Sequence, residues 1–179
     1  MMLTTRRFSM LLRIRALLFS LALATVLAPA FVQAATIKQL NYETITSAMT
    51  TELNSLGTNS RAISAALGAD ATAANLLGDW ELTVDFVSAP TVDGLIDLYL
   101  VRSADGTNYE DGDATNRPVA DAFGCSFQVL GTTAAQRLVC RDVVMPPGLY
   151  KAIIWNNSSQ AFPASGSTLK VRTHNRQVN

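Results

Sequence analysis

The chain has 179 residues, 49% of them apolar and 16% charged, with equal numbers of acidic and basic side chains and one histidine. That suits one folded domain of ordinary size with an appendage. Beyond residue 34 no stretch clusters Lys and Arg, which excludes a nucleic-acid binder of the basic-stripe kind.

Met1–Arg15 carries Arg6, Arg7, Arg13 and Arg15 and no acid, and Ala16–Val32 then runs without a charge to a small-residue end, Val32-Gln33-Ala34. A basic start, an apolar middle and a small-residue close are the parts of a secretory signal. The apolar run is short for a spanning helix, which needs about 20 residues. Residues 1–34 are therefore expected to be a signal, or an extension upstream of a true start near Ala35. Membrane contact is expected only through this segment, if it stays uncleaved. Removing its four arginines leaves ten basic against fourteen acidic residues, a net charge of −4.

Residues 35–78 are expected to form a helical arm and linker. Between Asn41 and Leu67, apolar Ile45, Met49, Leu53, Leu56, Ile63 and Leu67 fall at steps of three, four or seven, which keeps one helix face. Gly57 is expected to end or kink a first helix. Gly68–Gly78 is small and alanine-rich, as a linker would be. The face Ile45, Met49, Leu53 and Leu56 is the expected surface for a partner.

Residues 79–179 are expected to form an antiparallel β-sandwich or jelly roll. Trp80, Leu82, Val84 and Phe86 alternate with Glu81, Thr83 and Asp85, a strand with one wet face. Leu95–Val101 (LIDLYLV) is more apolar than the strand before it and reads as a central strand covered on both sides. Arg102–Ala120 is long, polar and turn-rich, with Asp105, Glu110, Asp111 and Asp113 inside nine residues. Oxygen ligands so spaced suit calcium, but the EF-hand order is missing and Asp-Gly pairs build ordinary turns, so no metal is assigned. Phe123–Leu130 and Gln136–Val144 are expected to pair as a hairpin about Thr132–Thr133, with Cys125 opposite Cys140. Such a pair is within reach of a disulfide, although two buried thiols would suit the same positions. Leu149–Trp155 and Leu169–Thr173 complete six strands, and two more are allowed near Tyr109–Pro118 and Ala161–Ala164.

Catalysis finds little in this text. His174 stands near the end of the chain without apolar surroundings, and no zincin, nucleophile-elbow, phosphate-loop or paired-cysteine metal motif occurs. A non-enzyme with no cofactor is expected. Tyr150 and Trp155 have opposite parity on one strand, so if one is core the other points the other way, into a second layer of core, onto a partner, or outward as a platform for sugar stacking.

The pieces Asp97–Gly112, Thr132–Phe162, Ala164–Arg172 and the preface Thr36–Leu56 (TIKQLNYETITSAMTTELNSL) stand in an order that resembles a family of small tailed-phage virion proteins. The resemblance implies a β-sandwich with a short helical N-terminal segment and a structural place on a particle, as head decoration, cement or fibre. It implies contacts with other virion proteins, self-association into a homo-oligomer, and no catalytic residues. Such proteins start near the position of Thr36 and are not exported. The alternative is an exported bacterial β-sandwich binding module, with carbohydrate as its ligand.

Overall fold

In the computed structural model, residues 37–68 and 76–178 are described. The expected signal segment 1–34 and most of the expected linker lie outside them. Ile37–Val178 forms one compact unit.

Among the described residues ten strands build two five-stranded antiparallel sheets. They are β1 (Ile37–Tyr42), β2 (Thr46–Met49), β3 (Arg61–Ile63), β4 (Leu67–Gly68), β5 (Leu77–Val84), β6 (Leu95–Ser103), β7 (Phe123–Gln128), β8 (Gln136–Val144), β9 (Leu149–Asn157) and β10 (Thr168–Val178). The first sheet runs β1-β10-β5-β8, with β2 also paired to β10; the second runs β3-β9-β6-β7, with β4 also paired to β9. From β7 onward every connection changes sheet, the habit of a jelly roll. The expected sandwich is therefore present, and its six expected strands correspond to β5–β10. No strand forms in Tyr109–Pro118 or Ala161–Ala164.

Alternation places the core. On β5, Trp80, Leu82 and Val84 are buried while Asp79, Glu81 and Thr83 face outward. They meet Ile96, Leu98 and Leu100 of β6, Tyr150, Ala152 and Ile154 of β9, and Phe127 of β7. Gly78 is required by this packing, since a Cβ there would lie 2.6 Å from the Met145 sulfur and 3.3 Å from the Trp80 indole nitrogen. The strand β6 is covered on both sides from Leu98 to Val101, as its mostly apolar text predicts. Its second face carries Tyr99 and Val101, which pack with Ile153 and Ala122 in a smaller core.

Two expectations are corrected. The stretch Asn41–Leu67 is not a helical arm: it supplies parts of β1 and β2, one 3-10 turn (Thr51–Leu53), β3 and the start of β4. Its threonines at 44, 46, 50 and 51 disfavour a helix, and Ser55 and Asn59 take left-handed backbone conformations (φ 54° and 56°) that interrupt one. Nor do β7 and β8 form a hairpin: β7 pairs with β6 and β8 with β5, in different sheets. The centre Thr132–Thr133 lacks the Gly or Asn that a tight hairpin turn needs, and the chain arches between sheets instead. Buried Gln136 pins that arch, accepting from the Leu130 amide at 2.8 Å and donating to the Leu130 carbonyl at 2.9 Å. Cys125 and Cys140 are nevertheless bonded, Cα atoms 6.5 Å apart, so the bridge ties one sheet to the other rather than two paired strands.

Candidate functional site

The outer face of the first sheet carries a groove of about 590 Å³. Strand register sets its floor in three rows. Of the first row, Thr168, Thr83 and Arg137 across β10, β5 and β8, the lining takes Arg137; Lys170, Glu81 and Val139 form the next row; Arg172 and Asp79 begin the third. There β8 bulges opposite Asp79, and Arg141 completes the lining. Tyr42 and Ile45 form one rim, and both are exposed.

Within the groove Arg137 pairs with Glu81, and the hydrogen bond and the carboxylate charge raise the Arg137 pKa above its ordinary value. Arg172 lays its guanidinium 4.3 Å from the centre of the Tyr42 ring and donates its Nε–H to the Glu43 carbonyl at 3.2 Å. Such a stacked guanidinium is held flat without being neutralised.

At the end of the groove lies a cluster absent from the sequence reading. His174 is 1% exposed, contrary to the solvated side chain expected there. Its Nε2 lies 3.0 Å from Asp142 Oδ1, while its Nδ1 is buried without a partner. A carboxylate accepts, so Nε2 is the ring nitrogen that donates in this contact. Asp142 sits at the bulge with φ 56°, and its amide donates to Asp79 Oδ1 at 3.0 Å. Asp79, Asp142 and His174 present ligand-type atoms within 4.8 Å of one another. Tyr42 packs against the imidazole at 5.2 Å between ring centres, because β1 pairs Tyr42 with His174. That pairing spans most of the chain, and no local signal announces it.

The other expected site residues go elsewhere. Met49, Leu53 and Leu56 are core residues, at most 7% exposed, whereas Ile45 is 59% exposed. The expected partner face therefore does not exist as one surface. Tyr150 is 1% exposed, and burial pushes its hydroxyl up to about 12. Trp155 does point the other way, as parity requires, but it is not an open platform. The Arg61 and Arg117 guanidinium groups lie 4.5 and 5.0 Å from its ring.

Three of the four carboxylates in the acidic loop, Asp105, Glu110 and Asp113, are used internally. Asp105 accepts from the amides of Asn108 and Thr107 and from the Asn108 side chain, which holds it well below the usual carboxylate range. Asp113 does the same with Asn116 and Thr115, and its pKa is lowered for the same reason. Glu110 pairs with Arg102. These are turn-building contacts, and they leave the ordinary-loop reading standing.

No protein-family model and no curated protein matches the chain. Among solved structures it is similar to the CBM36-1 domain of a multidomain xylanase from the hindgut metagenome of Trinervitermes trinervoides. That likeness has 11% identity and a TM-score of 0.42, over 78% of this chain and all of that one. It is also similar to Xyl-CBM35, solved in complex with a glucuronic acid-containing disaccharide, at 14% identity and a TM-score of 0.36, over 83% of this chain and 93% of that one.

Proposed function

We propose that this protein is an exported, non-catalytic β-sandwich module that holds a carbohydrate chain along the outer face of its first sheet. The observation that carries this reading is the groove: an open channel with an aromatic ring, Tyr42, on its rim and rows of Arg, Lys, Asp and Glu on its floor. Sugars are held by ring stacking together with side chains that donate to and accept from hydroxyls. Strands about 4.8 Å apart repeat such groups along a line. Export is supported by the signal-like text of residues 1–34 and by the Cys125–Cys140 bond, since disulfides persist in oxidising compartments. The single histidine is buried against Asp142, where it is poorly placed to serve a substrate as a base. The particle-subunit reading loses the contact arm that would have supplied its binding surface, because Met49, Leu53 and Leu56 are core.

Affinity electrophoresis of the purified protein through gels containing soluble polysaccharides tests the proposal. Retardation is expected, and Tyr42→Ala is expected to abolish it with the thermal midpoint little changed. Unretarded migration in every gel, with co-sedimentation on phage particles instead, would replace this reading by the virion one.

A further inference from the structure

From the unbalanced charge of the groove we infer that it selects acidic polysaccharides, chains bearing carboxylate or sulfate groups, over neutral ones; this rests on the carbohydrate reading above. The lining contains four cations, Arg137, Arg141, Lys170 and Arg172, and two carboxylates, Asp79 and Glu81. Glu81 is engaged by Arg137, and one oxygen of Asp79 is held by the Asp142 amide. Among the described residues neither Lys170 nor Arg141 has a carboxylate partner. Arg172 is held by a ring face and a carbonyl, neither of which cancels its charge.

This excess is local. Residues 35–179 together carry more acid than base, so the groove is a positive channel in an otherwise acidic protein, an arrangement that concentrates anions at the channel. The layout also bears on which anion. The cations stand in two columns, on β10 and β8, with the acidic column of β5 between them. Two strand spacings put the basic columns about 10 Å apart. A polymer lying along the acidic column can give its hydroxyl protons to Asp79 and Glu81 and place its anionic groups towards either side. A nucleic-acid backbone would bring phosphates against the same two carboxylates with few hydroxyls to offer them, so an acidic glycan is the favoured occupant.

The test titrates the full protein calorimetrically with two pairs matched in backbone: polygalacturonate against its fully methyl-esterified form, and dextran sulfate against dextran. The charged member of at least one pair is expected to bind at least tenfold more tightly, with the difference shrinking in 1 M salt, where the screening length falls to about 3 Å. Lys170→Gln and Arg141→Gln are each expected to weaken that binding by about fivefold, the effect of one charge at close range in water. Lys151→Gln, on the opposite sheet, should leave it unchanged. Equal affinity within both pairs would overturn the inference while leaving a carbohydrate module standing. Binding to none of the four would overturn the carbohydrate reading and the inference with it. Duplex DNA bound as tightly as the best polysaccharide would overturn the selectivity argued from the acidic column.

Discussion

Asn156 joins elements that sequence distance keeps apart. It is fully buried, and its Nδ2 reaches the carbonyls of Leu56, Gly57 and Gln160 at 3.1, 3.2 and 2.8 Å. Its Oδ1 accepts from the amide and the hydroxyl of Ser158 at 3.1 and 2.6 Å. A buried amide so satisfied fixes the turn around Gly57 against the end of β9, and it makes the Asn156-Asn157-Ser158 sequon a structural feature rather than an exposed acceptor. Replacing Asn156 by Ala leaves the Leu56, Gly57 and Gln160 carbonyls their second donors, the Phe162 and Ser60 amides and the Ser158 hydroxyl, but removes the Nδ2 bonds and both bonds to Oδ1, each worth about 0.5–1.5 kcal/mol. Asn156→Ala is therefore expected to lose at least about 2 kcal/mol, read as a lower urea midpoint at constant slope. Asn156→Asp, which sets a carboxylate against those carbonyls, should lose more. A loss below about 0.5 kcal/mol for both would show that the hub is not structural.

Among the elements, the arch between β7 and β8 marks where reading the text stopped working. Both strands were legible because their alternation is local, and the parity of Cys125 and Cys140 placed both on the inner face. Which strand each one pairs with was not legible, because that depends on where β5 and β6 lie. The expected hairpin about Thr132–Thr133 rested on the equal spacing of the two cysteines alone, and the capacity of Gln136 to stand in for a strand partner is visible only once Leu130 has been brought to it. The bridge closes a separation of 15 residues, for which chain entropy gives about 3 kcal/mol. Reduction is thus expected to lower the thermal midpoint by about 6–12 °C for a domain of this size. The sandwich should persist, because Gln136 still pins the arch. Loss of the β signature on reduction at room temperature would mean that the bridge, and not the two sheets, holds the fold.

For the molecule as a whole, the largest misreading and the most direct test concern the same stretch. Ile45, Met49, Leu53 and Leu56 keep a helical spacing, so text alone makes them one face with one role. Residues 37–68 are instead threaded through both sheets, β1 and β2 along β10 and β3 and β4 along β9. Spacing of three or four also arises when a short strand, a 3-10 turn and a loop each send one side chain inward, and only the tertiary frame separates the two cases. The groove shared this obscurity, since its rim residue Tyr42 and its floor residue Lys170 meet through pairings of very distant segments. The two readings diverge sharply for single substitutions. On a detachable helical face, Ile45→Asp and Leu53→Asp would be equivalent and both harmless to the fold. In the sandwich Ile45 is 59% exposed and Leu53 is 0% exposed. Ile45→Asp is accordingly expected to shift the urea midpoint by less than about 0.5 kcal/mol equivalent, as surface changes do. Leu53→Asp buries a carboxylate without a partner, at a cost of several kcal/mol against a total stability of about 5–15 kcal/mol, and should leave the protein largely unfolded. A chain beginning at Leu76, which lacks Met49, Leu53, Leu56 and the four strands of that segment, should fail to fold cooperatively for the same reason. If the shortened chain melts cooperatively near the full-length midpoint and Leu53→Asp is tolerated, residues 37–68 are an accessory to the sandwich and not part of its core.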